Sequence, residues 1–500
     1  MSRKRARTGK APREFGAPSV DDAPTQGIGD PSSAALSHRG RPPCSSVPTL
    51  TTLCSRVFAD NFVRLRNSSN ERVWAALAGH LKSLPEALLP RLLADLVRVC
   101  PTFLTHEFLV TYFFHGPTLA LTSDLPGVQT HTIRAVDRCP DLRDLELSGF
   151  AKIPDTAFAS ILPRLPALRR LVLRGCLLVG AKTLAAAAAS CPQLQIINLN
   201  YTTVTPLALQ PLLLACPRIE VLKLAGISNW TDATFAKMFC RDLDLPNLRS
   251  LKLCRLSISE VSLNALLPLC PNLRRLDISF TGVRHPFLGS YAGPLPDIEK
   301  LSLTSTPVSN ADLARLLPRL SNLKSLALGA LGASPRSIAS IDSSMTLTDD
   351  VLLKLVPILQ SYTALENLSL VGNIKLGTTA TALTRLITAV GRNCKWLNLS
   401  GLPALRSHHL AGLPGAPPAR LESLILNNTG INDDAAPFLS ACPELARLEV
   451  AETKMTSDGL FLVLDGCPKI HTLGLRSCRG VRVGDRRRFF EAWEEHRAGS

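Results

Sequence analysis

Aromatic residues make up only 5% of this 500-residue chain, with four Trp and four Tyr, so any large core has to be aliphatic. The sequence has no uninterrupted run of about 18 apolar residues. Its first residues, Ser2-Arg3-Lys4-Arg5-Ala6-Arg7, are not a charged start followed by an apolar stretch. Neither a membrane span nor a secretory signal is therefore expected, and the expected compartment is the nucleus, the cytoplasm or both. The 14 cysteines include no Cys-x-x-Cys pair, which argues against a zinc site; a reducing compartment argues against disulfides. Signatures of zinc proteases, serine hydrolases and kinases are missing as well. Gly175 to Thr183 comes near a phosphate loop, but Ala181 separates Gly180 from Lys182, and the Lys must follow the Gly directly. His408-His409 is an isolated pair in a Gly- and Pro-rich stretch, expected to be exposed rather than metal-bound. No metal, no cofactor and no catalytic centre are expected.

Acidic residues are also short, 40 against 56 Lys and Arg, for a formal charge of +16. Such an excess steers anionic partners, a nucleic acid or an acidic protein face. It is spread along the chain, with local knots in the first 41 residues and at Arg486, Arg487 and Arg488.

Residues 1–47 carry Gly, Pro, Ser, Ala and charge with almost no large aliphatics, too little apolar surface to offset the entropy of ordering. They are expected to be a disordered basic tail, in which Arg3 to Arg7 has the form of a short nuclear-import signal. From 48 to 122 the apolar spacing is helical: Leu50, Leu53 and Val57, then Leu77, Leu81, Leu84, Leu88, Leu92 and Leu96. Pro85, Pro90 and Pro101 punctuate it, so several short helices are expected. Residues 486–500 are expected to be a charged C-terminal helix or tail.

From Leu142 a Leu-x-x-Leu-x-Leu unit recurs, mostly every 24 to 29 residues, starting again at Leu168, Leu194, Ile219, Leu248 and onward to Ile470. One such unit buries nothing alone; stacked units share a core. This is the leucine-rich-repeat period, a short strand followed by a helix that returns along the outer face. The expected fold is α/β: a horseshoe solenoid of parallel strands and outer helices, residues 123–485, with about 13 repeats. Between Leu323 and Leu365 the period breaks, with 42 residues separating them, and an inserted surface loop is expected near 329–347. Cys-Pro-x-(Leu/Ile) recurs before the strands, at Cys139, Cys191, Cys216, Cys270, Cys442 and Cys467. The Pro ends the preceding helix, and the Cys is expected to fill the turn as a buried free thiol. This turn resembles the cysteine-containing subclass of repeats and the ribonuclease-inhibitor-like repeats, common in substrate receptors of ubiquitin ligases.

The segment Thr49-Leu50-Thr51-Thr52-Leu53-Cys54-Ser55-Arg56-Val57-Phe58 places Leu50, Cys54 and Phe58 at helical spacing. It resembles the BC box, and Leu84-Pro85 downstream resembles the start of the cullin-selecting box. Together with Cys-Pro repeats this is the order found in the ZYG-eleven-like receptors and in the fungal excision-repair leucine-rich-repeat factor. The resemblance implies that Leu50, Cys54, Phe58, Leu84 and Pro85 dock an Elongin C-like adaptor, or a Skp-like one, and bring in a cullin. An F-box is the weaker match, because Leu84-Pro85 lacks the spaced Cys-Arg-x-Trp end of that motif. The residues alone allow a plainer role for 48–122, capping the open end of the solenoid.

Between the leucines, alternate side chains face the concave sheet. They supply a basic stripe of Arg170, Arg174, Lys223, Lys252, Arg275 and Lys300, interrupted by Asp277, and the single aromatic Trp396. An acidic protein segment suits the stripe. Nucleic acid is the weaker partner, because single-strand binders add aromatics to the charge. Two functions stay open: a substrate-recognition subunit of a cullin-type ubiquitin ligase, of which a nuclear DNA-repair factor is a narrower form, and a scaffold or enzyme inhibitor with no ubiquitin role.

Overall fold

A computed structural model of the protein describes residues 49–67, 71–239, 243–287, 295–332, 346–482 and 484–485. The basic tail, most of the 329–347 insertion and the 486–500 segment lie outside these residues. Four helices come first, α1 (Leu50–Arg66), α2 (Glu71–Lys82), α3 (Leu89–Val99) and α4 (His106–Tyr112). A 14-stranded parallel sheet follows, with its strands paired in chain order. They are β1 (Thr118–Thr122), β2 (Asp144–Ser148), β3 (Arg170–Val172), β4 (Ile196–Asn198), β5 (Val221–Lys223), β6 (Ser250–Lys252) and β7 (Arg275–Asp277), then β8 (Lys300–Ser302), β9 (Ser325–Ala327), β10 (Asn367–Ser369), β11 (Trp396–Asn398), β12 (Ser423–Ile425), β13 (Arg447–Glu449) and β14 (Thr472–Gly474). Short helices, among them α5 (Thr130–Arg134), α6 (Asp155–Ile161), α7 (Ala181–Ser190) and α8 (Pro206–Ala215), return along the outside. The molecule is a leucine-rich-repeat solenoid.

One boundary needs correcting. Thr118–Thr122, placed in the helical block on sequence, is the first strand, in register with β2 from Thr118 opposite Asp144 to Thr122 opposite Ser148. Its Leu119 and Leu121 are buried, but no Leu-x-x-Leu precedes them to mark the repeat.

The repeat leucines are almost wholly buried, as at Leu145, Leu194, Leu323, Leu397 and Leu448, and each fully buried aliphatic side chain stabilises by about 1.5–3 kcal/mol. Polar side chains lock successive units. The Asp155 carboxylate, in the first turn of α6, accepts the N–H groups of Gly180 (2.9 Å), Lys182 (2.9 Å) and Thr183 (3.1 Å). The phosphate-loop look-alike is thus a helix start already capped by the preceding repeat. Asp349 does the same for Gly377 (2.8 Å) and Thr379 (2.7 Å), and Asp433 for Thr456 (2.7 Å).

The turn cysteines are buried free thiols. Cys216 donates to the carbonyl of Cys191 (3.4 Å) and Cys467 to that of Cys442 (3.2 Å), one repeat back. Burial pushes Cys191 and Cys270 up to about 12 and Cys139 and Cys467 up to about 11, so none is a nucleophile at neutral pH. The His pair also departs from expectation: His408 is exposed, but His409 is buried. Its Nδ1 accepts from the Arg406 N–H (2.9 Å) and its Nε2 lies 3.1 Å from the Thr379 carbonyl. Burial and the neighbouring His408 hold it below the usual histidine value, as a neutral core residue.

Candidate interaction surfaces

The helical cap presents the first surface. Thr49 caps α1 by accepting the Thr52 N–H (3.3 Å). The inner face of α1 is fixed by Phe62, which is fully buried and packs on Trp74 and Phe108 with ring centres 6.1 and 5.2 Å away. Arg66 covers the same two rings, 5.6 and 5.5 Å from their centres. Ser55 Oγ donates to Asp95 of α3 (2.7 Å). With that face committed, the other is left to solvent: Leu50 is 76% exposed, Val57 61% and Leu53 41%, and Cys54 is exposed beside them.

The candidate adaptor-docking residues fall in two environments. Four residues on a helix advance by about 400°, so Phe58 has rotated off the line of Leu50 and Cys54. It is half-buried and packs on the core, its ring 5.9 Å from that of Phe62. Leu53 and Val57, at spacings of three and seven from Leu50, complete the exposed strip instead. Their helical spacing was visible in the sequence, but the motif's four-residue step drew the line through Phe58. Leu84 is likewise half-buried against the core, while Pro85 is exposed at the start of the 3-10 turn Glu86–Leu88 that leads into α3.

The concave sheet is the second surface, and it is less open than strand alternation implies. Val172, Asn198, Asn200, Ala225, Ser369, Asn398 and Glu449, which alternation turns to that face, are buried. Strands about 4.8 Å apart on the inner side of a curved sheet cover one another's short side chains. Asn200 turns its Oδ1 onto the Ala225 N–H (2.8 Å), and Asn427 accepts from Ala451 (2.8 Å) while donating to Glu449 (2.8 Å).

The basic stripe resolves into two parts. Lys223 stands beside Lys252, and Arg275 beside Lys300, in adjacent rows of β5–β8. Asp277 lies among them, 3.8 Å from Lys252. Arg170 and Arg174 lie across β4, away from that patch, and Arg170 is already paired with Glu146 (3.2 Å). Arg174 is exposed in the turn after β3. Trp396 is half-buried on β11 between Asn367 and Ser423, well along the sheet from the cations.

No group of three or more His, Cys, Asp or Glu among the described residues could hold a metal ion. No helix among them is long and apolar enough to cross a membrane.

No protein-family model matches the chain. Putative F-box/LRR-repeat protein 23 of Arabidopsis thaliana is 36% identical over 74 residues, 14% of this chain and 16% of that protein. Putative F-box/LRR-repeat protein 21 of the same plant is 30% identical over 97 residues, 18% of this chain and 29% of that protein. The chain thus spans less than a third of the curated relatives it matches. Among solved structures, a Rad7 and Elc1 complex in yeast is similar over 85% of this chain and 92% of that one, at 19% identity and a TM-score of 0.49. An internalin of Listeria monocytogenes is similar over 70% and 89%, at 15% identity and a TM-score of 0.38.

Proposed function

We propose that this chain is the substrate-recognition subunit of a cullin-type ubiquitin ligase, acting in the nucleus, the cytoplasm or both. In this reading α1 docks an Elongin C-like adaptor through Leu50, Leu53, Cys54 and Val57, and the cationic patch on β5–β8 holds an acidic segment of the substrate. Ubiquitin transfer is carried out elsewhere in the assembly, and this chain contributes no catalytic group.

The observation that carries the reading is the two-faced α1. A helix needed only as a cap would turn its aliphatic residues onto the repeat it covers. Here Phe62, Ala59 and Thr52 are the buried residues, with Phe62 packed on Trp74 and Phe108 of the other cap helices, while Leu50 and Val57 stand in water, where an apolar strip is disfavoured unless a partner covers it. A helix with apolar residues at spacings of three, four and seven is the form that docks into another protein's groove. The F-box/LRR-repeat names of the two Arabidopsis relatives support the coarser statement, a leucine-rich-repeat protein of substrate recognition.

The test is affinity purification of the full-length protein beside a Leu50→Ala, Cys54→Ala double variant, with mass spectrometry of the bound proteins. Elongin C and a cullin on the wild type but not on the variant is the expected result. Their absence from both sinks the ligase reading and leaves the scaffold.

A further inference from the structure

We infer a second docking element on the rim of the horseshoe, where β4–β7 turn outward. There Tyr201, Gly226, Arg255 and Phe280, bordered by Lys223 and Lys252, take an extended acidic peptide bearing an aromatic or large aliphatic anchor. This rests on the reading of the concave patch as a substrate site, and not on the adaptor reading.

The four rim residues occupy one position of the repeat, two residues past the last strand leucine or isoleucine: Leu199, Leu224, Leu253 and Ile278. The backbone there is left-handed, with φ of 59° at Tyr201, 64° at Gly226, 60° at Arg255 and 59° at Phe280. Glycine adopts that conformation without strain, and the left-handed turn recurs along the array, with Gly149, Gly175, Gly372 and Gly401 in some repeats and Ser305, Ala330, Asn428, Glu452 and Ser477 in others. Bulky residues rarely adopt it. Among the residues at this position, only Tyr201 and Phe280 carry aromatic rings.

Their side chains form a row. The Tyr201 ring lies over Gly226, where any Cβ would run into it; the small residue makes room for the ring. Arg255 sits over Phe280, 5.1 Å from the ring centre. Tyr201 keeps 37% of its surface exposed. At about 4.8 Å per strand the row spans about 14 Å, roughly four residues of extended chain. Rings give an anchor side chain its contact area, and Lys223 and Lys252, neighbours in the sheet, stand three residues before Gly226 and Arg255 on the concave side to meet carboxylates. One face of each ring is engaged within the row, so it suits a packed side chain better than the successive open platforms used by single-stranded nucleic acid.

The test is selection of dodecapeptides from a randomised display library on the full-length protein. Their affinities for the wild type, a Tyr201→Gly, Phe280→Gly variant and a Lys223→Glu, Lys252→Glu variant are then measured by fluorescence anisotropy. Glycine stands at this left-handed position at Gly149, Gly175, Gly372 and Gly401, so the backbone accepts the first variant, which should melt close to the wild type. The expected result is acidic peptides with an apolar anchor whose affinity falls about tenfold or more in the rim variant. Undiminished binding to that variant, selected peptides without an anchor, no enrichment, or tighter binding of an oligothymidine of similar length would each overturn the proposal. Loss in the lysine variant alone overturns the rim and leaves the concave patch standing; no loss in either variant removes both.

Discussion

Replacing Leu50 and Val57 by Ala should leave the cap folded, whereas Phe62→Ala should open it. Leu50 and Val57 keep 76% and 61% of their surface exposed. Full burial of such a side chain is worth about 1.5–3 kcal/mol, so each truncation removes only about 0.4–1 kcal/mol of burial. Part of that returns, because Ala favours a helix interior over Val and Leu by up to about 0.7 kcal/mol. Phe62 has no exposed surface and holds two aromatic neighbours, and truncating such a residue costs about 3–5 kcal/mol. Hydrogen exchange followed residue by residue is the right assay, since a terminal cap opens without unfolding the whole array. The expected pattern is native protection of α1–α4 in the Leu50→Ala, Val57→Ala protein and its loss in the Phe62→Ala protein, with the solenoid protected in both. If the double alanine variant opened the cap as Phe62→Ala does, the outer face of α1 would be packed within the chain, and the docking surface would not exist.

Other consequences are as direct. Burial alone would raise the Asp349 carboxyl, but the hydroxyls of Thr378 and Thr379 and the N–H groups of Gly377 and Thr379 hold it below the usual carboxylate value. A carboxyl depressed in the folded state stabilises at neutral pH, and that contribution is lost as pH falls through the folded value. Asp349→Asn should therefore flatten the fall in stability below about pH 4, and a midpoint unchanged in slope between pH 6 and pH 2 would show that this cap is unimportant. Thiol labelling at pH 8 should modify Cys54 quickly, while Cys139 and Cys467, pushed up to about 11, hold only about one thiolate in a thousand; mass spectrometry reads the order, and fast labelling of the turn cysteines in native protein contradicts it. Trp230 is fully buried, and its indole N–H donates to the Val204 carbonyl at 2.7 Å. Trp230→Ala should cost about 3–5 kcal/mol and weaken exchange protection around β4–β6 more than around β12–β14, since repeats contact chiefly their neighbours.

The solenoid was legible because its signal repeats. A leucine that must be buried in every unit appears in every unit, and six Cys-Pro turns marked where a helix stops. β1 escaped because its repeat is the atypical terminal one, with Leu119 and Leu121 but no leading leucine pair. The Asp155, Asp349 and Asp433 caps escaped for a different reason. Each acts on amides 23 to 30 residues later, so no local window holds both partners. On the concave face, alternation showed which side chains turn inward but not how far neighbours cover them, which is why Asn200 and Ser369 are buried and Arg275 is exposed. The rim row was invisible for the same reason. Tyr201, Arg255 and Phe280 are far apart in sequence and meet only through the stacking of repeats.

The same quasi-one-dimensional construction keeps the two proposed binding surfaces apart. The first strand of any open solenoid exposes an unpaired edge and an apolar end, which invite pairing with another chain. The cap answers that need through α3, which buries Leu89, Leu92, Leu93 and Leu96, and through α4, leaving α1 as an outer layer. Once the end is sealed by α3, the outward residues of α1 have no structural task, and aliphatic residues there are not needed for the fold. The cationic patch begins four strands further along, at β5, so a change in one surface reaches the other only through intact repeats. Substitutions at Leu50 and Cys54 should therefore leave peptide binding at Lys223 and Lys252 untouched, and the reverse should hold. Coupling between the two, measured as a non-additive loss in the combined variant beyond about 0.5 kcal/mol, would mean that the array transmits strain along its length and that the surfaces are not independent.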